Sequence, residues 1–82
     1  MSKQEKALRR LLSRPKDFTW SEPVSLLSGL GFILEKGSGS RRRFFHPQTL
    51  VAHHIHEPHP SGILKAYQVQ DVLKFLREAN YL

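Results

Sequence analysis

Cysteine is absent from this 82-residue chain, which removes disulfides and thiolate metal centres as sources of stability. A reducing cytoplasm is the expected location. Long apolar runs are missing too. No stretch approaches the roughly 20 residues needed to span a bilayer, and charges interrupt Met1 to Arg14 throughout. Neither a membrane segment nor a secretory leader is therefore expected. Acidic residues are scarce, with seven Asp and Glu against thirteen Lys and Arg, for a formal net charge of +6. Internal repeats and long linkers are also lacking. So short a chain has room for one core, built by apolar packing alone.

The excess of cations is uneven. Arg41, Arg42 and Arg43 are consecutive, with Lys36 just before them, and Arg9, Arg10, Arg14 and Lys16 gather near the start. Clustered cations without interspersed acids favour a polyanionic partner. A solvated basic surface is the plainer alternative.

Apolar periodicity divides the chain. Ala7, Leu8, Leu11 and Leu12 recur at helical spacing, which predicts a short helix from Ser2 to Ser13. Arg14 before Pro15 breaks it. The run Thr19-Trp20-Ser21-Glu22 has capping-box form and opens a second helix. Val24, Leu27 and Leu30 are its expected stripe, and Gly29 and Gly31 its end. Three strands follow, at Phe32 to Lys36, Arg41 to His46 and Leu50 to His56. Pro58 and Pro60 stop the ladder. A last helix is expected from Ala66 to about Asn80, with Val69, Val72, Leu73 and Leu76 buried. Short connections make the sheet antiparallel, and the two longer helices can cover one face of it. The class is therefore α+β, in the order α-β-β-β-α, preceded by a helical extension over residues 1–18; residues 19–82 form the domain proper.

Within that frame the sharpest local feature runs from Gly37 to Pro47. Small residues in the Gly37-Ser38-Gly39-Ser40 turn allow close backbone approach, and free amides there suit phosphate oxygens. Guanidinium forks then match phosphate geometry. Side chains alternate along a strand. Arg41, Arg43 and Phe45 thus share one face, and Arg42, Phe44 and His46 the other. If Phe44 packs under the helices, Arg41 and Arg43 project from the open face beside an exposed Phe45 ring. Cations beside an aromatic ring suit single-stranded RNA. The expected nucleic-acid contacts are Lys36, Ser40, Arg41, Arg42, Arg43 and Phe45. A basic edge that discourages aggregation is the competing explanation.

Four histidines, His53, His54, His56 and His59, cluster after the third strand begins. Imidazole exchanges protons near neutrality and can serve a ribose hydroxyl as base or acid. His54, His56 and His59 are the candidate catalytic groups. With no cysteine and only Glu57 as a nearby acid, no metal site is expected. Pro58-His59-Pro60-Ser61-Gly62 either aims His59 or sets the turn into the last helix. A phosphate-binding P-loop is excluded, because the Gly-Ser turn lacks the Lys-Ser/Thr ending and leads into a strand. No serine sits at a strand-to-helix elbow, and no cofactor is expected.

Gly39-Ser40, Phe44, His46-Pro47 and Pro58-His59-Pro60, in this order of elements from about Trp20 to Tyr81, resemble the HicA family of toxins from bacterial and archaeal toxin–antitoxin systems. The resemblance implies a fold similar to double-stranded-RNA-binding domains. It also implies messenger RNA as substrate, ribosome-independent cleavage and neutralisation by a HicB-like antitoxin protein. The family usually places its catalytic histidine directly after the Gly-Ser pair, where this sequence has Arg41. Arginine stays protonated and is a poor base, though it can stabilise a charged phosphorane. The readings left open are an RNA-cleaving toxin, a silent RNA-binding module, and a basic domain that docks on an acidic protein.

Overall fold

In a computed structural model, residues 3–82 are described. Among these residues six elements follow one another: α1 (Lys3–Leu12), α2 (Ser21–Gly29), β1 (Ile33–Lys36), β2 (Arg41–Phe45), β3 (Ala52–His56) and α3 (Ala66–Glu78). The strands form one antiparallel sheet in the order β1-β2-β3. The expected α+β class and α-β-β-β-α arrangement are both present, with α1 added at the front. The anticipated helix start at Ser2 lies outside the described residues.

Alternation along β2 fixes which side of the sheet is covered. Phe44 is fully buried, and its helix-facing neighbours Leu34 and Ile55 join it in the core with Phe18, Leu27, Phe32, Val69, Val72 and Leu76. Phe32 lies at the hub of the aromatic contacts. Its ring meets His46 edge-on at 5.1 Å, Phe75 at 5.5 Å and Tyr81 at 5.6 Å, separations at which edge-to-face pairs are favourable. The predicted stripe of α3 is buried as expected. In α2 the stripe differs. Pro23, Leu26 and Leu27 are buried, whereas Val24 and Leu30 are only partly so. The reason is that α2 is covered on two sides, by α1 and by β1, so a single-stripe reading misses Leu26.

α1 is packed into the same core rather than set apart from it. Leu11 is fully buried, and the Gln4 side-chain amide donates to the Leu26 carbonyl at 2.8 Å. Arg10 bridges forward to Asp17 at 2.9 Å and to Glu22. Glu22 also accepts the Thr19 amide hydrogen at 2.7 Å, which is half of the expected capping box. The other half is missing because Trp20 already has helical dihedrals and the Glu22 amide bonds the Thr19 carbonyl at 3.0 Å. Burial tends to raise the Glu22 pKa, but the bonds from Arg10 and Thr19 outweigh it and hold the value below the ordinary one. That contribution is present above the ordinary carboxylate range and fades as the pH falls through the lowered value.

Two ties position the sheet's far end. An isolated antiparallel bridge joins Thr19 to Ile63, flanked by Trp20 N–H to Gly62 O and Leu64 N–H to Phe18 O, both at 2.8 Å. Buried Gln68 accepts the Lys65 amide hydrogen at 3.0 Å and donates to the His56 carbonyl at 2.9 Å. The start of α3 and the end of β3 are thereby fastened together.

β2 ends at Phe45, one residue earlier than expected, because His46 becomes the hub of a turn. Its Nε2 bonds the Leu30 carbonyl at 3.2 Å, and its Nδ1 accepts the amides of Gln48 and Thr49 at 3.3 and 3.4 Å. Leu50 takes φ +62 in that turn, so β3 begins at Ala52 instead of Leu50. Gly31 lies against the same ring with φ +98, and a Cβ there would stand 2.7 Å from His46 Nε2. Gly31→Ala should therefore destabilise the protein by about 1–3 kcal/mol, through left-handed strain and displacement of the His46 ring. Urea denaturation measures this; an unchanged midpoint would show that the contact is not a constraint.

Candidate nucleic-acid interface

The register brings the candidate residues together more tightly than spacing alone suggests. Arg41 pairs with His56, Arg43 with both His54 and Glu35, and Phe45 with Ile33 and Ala52. Directly opposed residues project to the same side. The uncovered face thus carries Ile33, Glu35, Arg41, Arg43, Phe45, His54 and His56. An open cleft of about 720 Å³ lies across it, with Lys36, Arg41, Arg43, His54 and His56 among its walls.

The three arginines have three different fates. Arg41 is exposed and, among the described residues, has no carboxylate partner for its guanidinium. Arg43 pairs with Glu35 and stacks 4.8 Å from the centroid of Phe45. Phe45 is consequently half-covered instead of bare. Arg42 points to the helix side. Its Nε donates to Glu57 at 3.0 Å with only 12% of the side chain exposed, and its Nη1 donates to the carbonyls of both Gly39 and Arg41, at 2.9 and 2.8 Å. An arginine so placed locks the hairpin to the end of β3. Of the three arginines, only Arg41 is both exposed and, among the described residues, without an internal carboxylate partner. An exposed ion pair such as Arg43–Glu35 is worth about 0–1 kcal/mol, so an incoming phosphate can take Arg43 from Glu35 at small cost.

Of the remaining expected contacts, Lys36 is exposed at the rim, opposite Arg42. The turn amides of Gly37 and Arg41 are already engaged, at 2.8 and 3.1 Å. Ser40 approaches His56, with Oγ to Nδ1 at 3.2 Å, and its carbonyl accepts the Glu57 amide at 2.8 Å.

The histidines separate by face. His54 and His56 are exposed on the open side. His53 points to the helices, stacked on Phe75 at 4.8 Å, and its Nε2 is buried without a hydrogen bond among the described residues. Burial pushes its pKa below the ordinary value, against the pull of Asp71 and with a smaller push from His54. His59 is exposed in the loop before α3 and does not line the cleft. Among the described residues no group of three or more His, Asp or Glu is arranged to hold a metal ion, and no helix is long and apolar enough to cross a membrane. Sequence reading missed Glu35 and Gln68, and named Glu57 as an acid near the histidines without its pairing to Arg42. A usable signal existed for Gln68, three residues after the cap position; Glu35 and Glu57 needed the register.

Residues 20–80 match the HicA toxin of bacterial toxin–antitoxin systems. The chain belongs to the HicA toxin family. Neither curated proteins nor solved structures give a match. Family membership places this chain among toxins that have a cognate antitoxin. The matched region begins at Trp20, so α1 lies outside it, and the Arg10–Glu22 bridge ties α1 to the matched part.

A contrast between neighbouring arginines tests the geometry. Arg41→Ala should leave stability within about 0.5 kcal/mol, whereas Arg42→Ala should cost about 1–3 kcal/mol, because Glu57 loses its half-buried partner. Thermal or urea unfolding of the two variants reads this directly; equal effects would mean the two side chains are not distinguished as described.

Proposed function

We propose that this HicA-family toxin acts by gripping RNA, messenger RNA above all, on the open face of its sheet, and that a HicB-like antitoxin neutralises it. The observation that carries the reading is Arg41, an exposed guanidinium with no carboxylate partner among the described residues, beside Arg43 placed over the Phe45 ring. Phosphates meet guanidinium forks there, and unstacked bases find an aromatic and two imidazoles close by. Lys36 extends the positive rim. Ser40 and Arg42 contribute indirectly, the one through His56 and the other by fixing the hairpin that carries Arg41. The cytoplasm is the compartment in which such a toxin would meet its target.

Charge also says what kind of binding to expect. With a net charge of +6 and few specific donors on the face, affinity should come mainly from phosphate contacts and depend little on sequence. Three contacts to a single strand, at a slope of about 0.7 each, predict roughly a 20-fold loss of affinity per fourfold rise in salt. Arg41→Ala combined with Arg43→Ala should weaken binding for all sequences and lower the slope by about 1.4. Fluorescence anisotropy against salt measures both. A salt-insensitive interaction would instead favour a basic domain that docks on protein.

A further inference from the structure

Resting on the RNA-binding reading, we propose that His56 and His54 form an acid–base pair that cleaves the bound strand. The two imidazoles lie on one face of β3, and each is directly opposed by a guanidinium, Arg41 facing His56 and Arg43 facing His54. Alternate residues of a strand are about 7 Å apart and directly opposed ones about 5 Å. A two-by-two patch of that size can flank a single phosphodiester, with imidazoles on one side and guanidiniums on the other.

Every other histidine among the described residues is otherwise placed. His46 has both ring nitrogens committed to backbone groups. His53 is on the helix side against Phe75. His59 lies outside the cleft. His56, by contrast, is exposed yet anchored, its carbonyl held by Gln68 and its Nδ1 by Ser40 Oγ. When Nδ1–H donates to Ser40, Nε2 carries the free lone pair, so Ser40 is a positioning residue for the base.

The step balances without a cofactor. His56 Nε2 takes the proton from a ribose 2′-hydroxyl as its oxygen bonds the adjacent phosphorus. The bond from phosphorus to the 5′-oxygen breaks, and that oxygen receives the proton of a protonated His54. The products are a 2′,3′-cyclic phosphate and a 5′-hydroxyl, and water returns both imidazoles to their starting forms. Arg41 and Arg43 stabilise the charge that builds on the non-bridging oxygens. Neighbouring charged groups that face the pair are Arg41, Arg43 and, through Arg43, Glu35.

The full chain should be incubated with a labelled single-stranded 20-nucleotide RNA and with its all-2′-deoxy counterpart, with binding read by anisotropy and products by gel. RNA should be cut to cyclic-phosphate ends, while the deoxy strand is bound and left whole. His56→Gln and His54→Gln should each slow cleavage by about 100-fold or more, with RNA still bound and melting unchanged. Ser40→Ala should lower kcat at constant KM, and Ser40→Thr should restore it. RNA bound by the wild-type chain but left intact at protein excess would overturn the acid–base pair and leave the binding reading standing. Undiminished cleavage by His56→Gln, or cleavage of the deoxy strand, would overturn it equally. Absence of RNA binding would overturn both.

Discussion

Burial of Phe44 sets the phase of β2, and the chemistry of the molecule follows from that phase. Side chains along a strand change face at every residue, so a fully buried Phe44 obliges Arg43 and Phe45 to face outward and Arg42 to face the helices. A one-residue slip would drive Arg41 and Arg43 into an apolar core, where unpaired charge is prohibitively costly. The hydrophobic effect thereby selects which cations meet solvent. No functional group needs to be positioned independently of the core.

The covered face is held by connections distributed over the whole chain. His46 gathers Leu30, Gln48 and Thr49 around one ring, which ends β2 and turns the chain toward β3. Gln68 fastens β3 to α3, and Arg42 fastens the β1–β2 hairpin to Glu57. These three side chains are polar and largely buried, and each satisfies backbone groups at an element end. Buried polar groups of this kind are stabilising only when fully bonded. α1 adds Leu11 and the Arg10–Glu22 bridge, and extends the core in front of the unit shared with the HicA family.

Much of the fold was legible because its signals are local. Helical periodicity in α1 and α3, the Gly-Ser turn and the β-branched or aromatic strands each announce themselves within a few residues. α2 was harder. Its nine residues are covered on two sides, so Leu26 and Leu27 are both buried and no single stripe describes it. The boundary at Ala52 was hidden as well, since the turn held by His46 ends the ladder without a glycine. Within the candidate site, alternation assigned the faces of the three arginines correctly. It could not say which guanidiniums find carboxylates. Glu35 meets Arg43 and Glu57 meets Arg42 only through the cross-strand register, a long-range property. The division of labour between His54, His56 and His53 likewise required knowing which strand opposes which.

The central claim is that RNA is held on the bare side of the sheet. Titrating the isotope-labelled protein with a short single-stranded RNA and following its NMR shifts locates the contact surface directly. The account predicts changes concentrated at Arg41, Arg43, Phe45, His54 and His56, with α2 and α3 nearly silent. Shifts confined to the helical face, with those five residues unmoved, would contradict it.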